Sequence, residues 1–234
     1  KNKDKMKAEQ SYVARDVETL YTLALDMLGK NQFREAAMVF DEVERQHPYS
    51  IWARRAPLMS AYADPQRHYH THQYLGERQT AFDGALALAE HPAEVEIALW
   101  FHDAVYDVKG HDNEQCSADW ARDALRDAGV DTGSAQRVHD LVMATRHTAV
   151  PSAQDERLLV DIDLSILGAE RARFDEYEQQ IRREYAYVPG FLFRRKRREI
   201  LKGFLDRPAI YSTPHFHDRL EARARDNLRR VTEA

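Results

Sequence analysis

A chain of 234 residues with 43% hydrophobic and 31% charged side chains has the balance of a packed globular protein, which excludes a disordered or collagen-like chain. No stretch approaches the roughly 18 uninterrupted apolar residues a membrane helix requires, and the opening KNKDKMKAEQ lacks the apolar segment of a signal peptide, so a soluble, cytoplasmic protein is the expectation. The single cysteine, Cys116, excludes an internal disulfide and a cysteine-based zinc site, and the surplus of acidic over basic groups, net −5, argues against general nucleic-acid binding.

Apolar residues recur at helical spacing almost throughout, and no segment alternates between hairpin turns, so the fold class is all-α. In chain order the predicted helices are 16–29, 33–46, 50–63, 71–90, 93–106, 113–128, 134–145, 153–168, 171–185, 189–205 and 214–232. Their ends carry recognisable signals: Asp112 with Gln115 fits a capping box, Gly129 and Gly133 punctuate one connection, and Pro48, Pro92, Pro189, Pro208 and Pro214 mark others.

From Val17 to Ser50 the residues Leu20, Leu23, Ala24, Met27, Phe33, Ala36, Phe40 and Pro48 follow the 34-residue tetratricopeptide spacing. Ala24 and Ala36 let two helices approach closely, while Leu20, Leu23, Phe33 and Phe40 fill the seam. The wording VETLYTLALDMLGKNQFREAAMVFDEVERQHPYSIWARRAPLMSAYA resembles the first repeats of the bacterial outer-membrane assembly lipoproteins, over about residues 11–63. Pro57 sits awkwardly inside the helix a second repeat would need. A lone repeat is not expected to stand by itself, so residues 1–63 should engage a protein partner, self-associate or dock on the rest of the chain.

Two buried-looking helices carry polar residues that need compensation. In VEIALWFHDAVYD, His102 and Asp103 follow Ile97, Ala98, Leu99, Trp100 and Phe101; in LLVDIDLSILG, Asp161 and Asp163 interrupt an apolar run. An unpaired buried carboxylate costs several kcal/mol or more, so a metal or a tight hydrogen-bond partner is implied. Upstream, RHYHTHQY gathers His68, His70 and His72. Taken singly, these residues read as a satisfied core histidine, structural acceptors and an exposed loop. Together they point to a metal site.

The segments HYHT, ALWFHDAVYD, DNEQCSA, VMATRH, LLVDIDLSILG, IRREYAYVP and FLDRPAIYST stand in the order seen in predicted metal-dependent HD phosphohydrolases, and residues 64–234 resemble that family. The resemblance implies a helical HD-like domain over 64–234 behind a tetratricopeptide-like segment over 1–63, and the change of family at residues 61–64 is compatible with a fused chain. It implies His102 and Asp103 as the namesake metal pair, Asp163 as the later aspartate with Asp161 its alternative, and one or two divalent ions of Mn, Mg, Fe, Ni, Co or Zn. Relatives read YHTLxH, with a ligand histidine about 28 residues before the pair. Here Tyr74 occupies that place, with His70 and His72 as the remaining candidates.

By the same resemblance Glu114 and His147 are candidate catalytic groups, and Arg182, Arg197 and Arg207 candidate binders of a small phosphorylated substrate. Arginine forks suit phosphate oxygens, although for any one of them surface ion pairing is the plainer account. The basic run Arg194, Arg195, Lys196, Arg197 and Arg198 reads either as an attractor of phosphate or as a solvated helix face. The implied function is metal-dependent hydrolysis of a phosphate ester or anhydride. The alternative is a catalytically impaired HD-fold protein, or an interaction module using the N-terminal repeat.

Overall fold

A computed structural model describes residues 17–30, 32–46 and 51–233, which are helical with no strand among them. The all-α expectation holds. The chain divides into two compact units, residues 1–65 and residues 66–234.

In the first unit α1 (Val17–Gly29), α2 (Phe33–Gln46) and α3 (Ile51–Tyr62) pack on one another in succession. Leu20, Tyr21 and Ala24 of α1 meet Ala36, Phe40 and Val43 of α2, all buried, with the Tyr21 and Phe40 rings edge to face at 5.4 Å. The two alanines are fully buried, as close helix approach demands. Leu23 is only half-buried, and the Phe33 side chain and Pro48 lie outside the described residues. Helix α3 runs through Pro57, contrary to the expected disruption. A proline removes one internal hydrogen bond, and the burial of Leu58, Met59 and Tyr62 in the following turn offsets that loss.

The second unit contains α4 (His72–Asp83), α5 (Pro92–Phe101), α6 (Asn113–Asp127), α7 (Thr132–Ala144), α8 (Gln154–Asp163), α9 (Arg171–Glu184), α10 (Gly190–Leu205) and α11 (Pro214–Glu233). Short 3-10 segments occupy Leu86–Leu88 and Leu164–Gly168. At its centre α5 packs against α4, α6, α7 and α8, and Val95, Ala98, Leu99, Leu158, Leu159 and Ile162 are wholly withdrawn from water.

Several helices stop earlier than their apolar pattern suggests. Helix α5 ends at Phe101 because the buried Arg67 guanidinium takes the carbonyls of Asp103 at 2.6 Å and Ala104 at 2.7 Å, turning the chain at the His-Asp pair. Helix α8 gives way to the tighter 3-10 turn at Leu164, where Gly168 lets the backbone press on α11: a Cβ there would meet Leu220 Cβ at 2.6 Å. Gly129 has φ +82°, and its N–H bonds to Arg126 O while Val130 N–H reaches Leu125 O, the paired bonds that close α6. The expected capping box at Asp112 and Gln115 does not form, since Asp112 caps with no side-chain bond and Gln115 turns to Asp119. Asp131 caps α7 through Ser134 N–H at 3.0 Å.

Candidate functional site: a tyrosine-centred polar cluster

The turn after α5, the end of α8 and the first turn of α4 bring His102, Asp103, Asp163 and Tyr74 together. Their side chains meet because each sits at or near a helix end, where the chain leaves the apolar core. Among the described residues two groups of three potential ligand side chains place one atom each within 4.8 Å of one another: His102, Asp103 and Asp163, and separately Glu90, His91 and Asp155. The second group is a helix-start device. Asp155 accepts the N–H groups of Glu90 and His91 and pairs with the His91 ring at 3.1 Å.

In the first group His102 Nε2 lies 3.2 Å from Asp103 Oδ2 and 3.7 Å from Asp163 Oδ1. Between them sits the Tyr74 hydroxyl, 2.5 Å from His102 Nε2, 2.7 Å from Asp103 Oδ2 and 2.9 Å from Asp163 Oδ1. His147 Nε2 closes the far side, 3.0 Å from Asp163 Oδ2. His147 holds a left-handed backbone, φ 54°, uncommon for a residue with a Cβ. Arg207 steadies it by donating to the His147 carbonyl at 3.3 Å.

The electrostatics follow from this packing. Burial favours neutral His102, but the charges of Asp103 and Asp163 outweigh it and raise the imidazole pKa. Burial likewise opposes charge on Asp163, yet hydrogen bonds from His102 and His147 hold its carboxyl well below the usual range. Tyr74 is pushed well above its ordinary value by burial and then by the two carboxylates, so it is a neutral phenol.

The resemblance-implied cation can be tested against these groups. A divalent ion needs donors at about 2.0–2.2 Å, and the spacing of the imidazole and the two carboxylates suits one. The fourth group does not: a protonated phenol is a poor ligand, and its oxygen takes the place where an ion would sit. The residues present therefore do not fit the ion.

Other residues singled out in the sequence fall in different places. His70 stands beside the cluster, its Nε2 4.0 Å from Asp103 Oδ2, but its Nδ1 is held by Glu184 at 2.9 Å. His72 opens α4 half-buried and does not belong to the converging group. Asp161, two residues from Asp163 on α8, faces the opposite way and accepts Ser212 N–H at 2.8 Å, Thr213 N–H at 2.7 Å and the Thr213 hydroxyl at 2.6 Å. It anchors the approach to α11.

A cavity of about 730 Å³ opens beside Tyr74, Asp103, Asp163 and His147, and Glu114 lines it. Of the three candidate phosphate-binding arginines only Arg197 lines this cavity, and its guanidinium is already committed to Glu178 at 2.5 Å and the Tyr177 hydroxyl at 2.6 Å. Arg182 donates to the Tyr185 and Val188 carbonyls, and Arg207 packs over Phe204. Apart from Arg197, the basic run of α10 is largely solvent-exposed.

Glu184 is a residue that the motif reading passed over. Its buried carboxylate accepts N–H groups of His68, Tyr69 and His70, the His70 ring and the Tyr106 hydroxyl. Burial would raise its pKa, but these donors, led by His70, lower it to about 2. One signal was available: Phe174, Tyr177, Ile181 and Glu184 share a helix face, placing a carboxylate among core positions.

The chain is similar to an outer membrane protein assembly factor. The relative is BamD of Caulobacter vibrioides, 31% identical over 164 residues, which cover 69% of this chain. The chain spans 47% of BamD's own length. The matched stretch is longer than the 65 residues of the first unit, so the similarity to BamD extends past residue 63, where the sequence pattern alone had ended it. No family model and no solved structure matches. The similarity to BamD overturns the expected phosphohydrolase function. The arrangement of side chains agrees with that correction: a phenol fills the ion position, and the arginines meant for phosphate are spent on internal acceptors.

Proposed function

We propose that this protein is a protein-interaction module that serves in protein assembly, with the helical hairpin of residues 17–62 as the part that engages a polypeptide partner. The observation that carries the reading is the 31% identity to an outer membrane protein assembly factor across 69% of the chain. Two features support it. The first unit buries Tyr21, Ala24, Ala36 and Phe40 between its helices yet leaves Leu25 and Met38 exposed, Met38 by 64%, and exposed apolar side chains on packed helices are natural anchors for a partner. In the second unit the Tyr74 hydroxyl ties His102, Asp103 and Asp163 together at the cavity wall, in the place the hydrolase expectation gave to an ion.

Affinity capture with the full chain, cross-linked in the envelope fraction of a bacterium that has an outer membrane, tests this. Outer-membrane assembly proteins should be enriched over a bead control. Enrichment should fall for Leu25→Lys/Met38→Lys protein whose circular dichroism is unchanged. Capture of nothing above the control, or of the same proteins by both chains, overturns the reading.

A further inference from the structure

We propose that the Tyr74 hydroxyl stands in for a cation: it holds His102, Asp103 and Asp163 together by hydrogen bonds, so that the second unit is built to fold without a divalent ion. The argument is a count of donors and acceptors. The Leu99 carbonyl can only accept, so His102 Nδ1, 2.8 Å away, carries a proton. His102 Nε2 then faces one phenol oxygen and two carboxylate oxygens.

A hydroxyl offers one donor and two acceptor lone pairs. The Tyr74 oxygen lies 2.5 Å from His102 Nε2, and its single O–H proton is shared between Asp103 at 2.7 Å and Asp163 at 2.9 Å. The hydroxyl lies where an ion would lie and keeps the imidazole and the two carboxylates from pressing directly on one another. An ion in that space would need three bare lone pairs and the phenol elsewhere.

Packing denies the phenol that freedom. Tyr74 is 1% exposed, its ring lies 4.9 Å from the Tyr69 ring, and the buried Arg78 guanidinium sits 4.5 Å over its face. Arg78 is itself tied down, donating to the Ile162 carbonyl, the Ser165 hydroxyl and the Tyr69 hydroxyl. Swinging the phenol aside would break into this fully buried layer.

The test measures bound metal by elemental analysis and thermal unfolding by circular dichroism on the full chain, with EDTA and with added Mn²⁺ or Zn²⁺. Wild-type protein should carry far less than one ion per chain, and neither EDTA nor metal should move its transition. Tyr74→Phe should lower the transition by roughly 3–10 °C, the expected loss for a buried hydrogen-bond centre in a unit of this size, and added metal should recover part of it. Tyr74→His should gain one ion per chain, and Asp163→Asn in that background should abolish the gain. Wild-type protein that carries one ion per chain and loses stability in EDTA overturns the proposal, whether or not the variants fold. Tyr74→Phe protein as stable as wild type, with or without metal, overturns it as well.

Discussion

At Glu184 one carboxylate receives three backbone N–H groups, the ring of His70 and the Tyr106 hydroxyl. Because its pKa falls from 4.5 to about 2 on folding, the charged form is favoured in the folded state. The resulting stability is fully present above pH 4.5 and is lost as pH falls toward about 2. The shift corresponds to about 3 kcal/mol. Glu184→Gln should therefore lower stability at pH 7 by an amount of that order, read as a lower urea midpoint. The gap between the two proteins should stay flat down to about pH 5 and narrow below it; a gap independent of pH from 7 to 3 would show that charge is not what Glu184 contributes. The same residue illustrates the limit of motif reading. Its near neighbour in sequence, Arg182, looks like the chemistry, while the group that organises the loop ahead of α4 is the acid among apolar positions.

Among the helices, ends and close approaches decided what apolar spacing could not. Apolar spacing located all eleven described helices, most of them through the 3.6 period that one buried face leaves in the sequence, and α5 through an almost wholly apolar run. It overran α4, α5 and α8, where apolar residues continue past the last helical turn in a 3-10 segment or a turn. Two glycines separate the kinds of constraint at such ends. At Gly168 an added methyl would meet Leu220 Cβ at 2.6 Å and the Leu220 carbonyl at 3.0 Å, so the backbone of α11 must move. At Gly129 there is open space, and only the φ of +82° resists a side chain. Gly168→Ala should cost about 1–3 kcal/mol through overpacking and Gly129→Ala about 1 kcal/mol through backbone strain alone. Chemical denaturation of the two variants checks the order, and equal losses would mean that α11 yields without resistance.

For the whole molecule, the division at Pro65 and Gln66 carries its own prediction. The second unit has a contiguous apolar centre in Val95, Ala98, Leu99, Leu158, Leu159 and Ile162, so residues 66–234 expressed alone should give a helical spectrum and a cooperative thermal transition. A fragment without a cooperative transition would show that the centre is not self-sufficient. The sequence by itself determined the helical class, the small-residue seam at Ala24 and Ala36, and the anomaly of His102, Asp103 and Asp163 in apolar surroundings. Each of these is a local property, written in spacing along one helix. Only the tertiary structure decided what compensates the anomaly. The partners of His102 and Asp163 come from chain segments tens of residues apart, and whether an ion or a phenol lies between them depends on where α4 delivers Tyr74. Asp161 and Asp163 look alike in LLVDIDLSILG, yet a rotation of two helical positions sends one to the α11 anchor and the other to the cluster. The physical reason is that burial dictates that a polar group be satisfied, and the sequence records that demand, whereas the paths of distant helices choose the group that meets it.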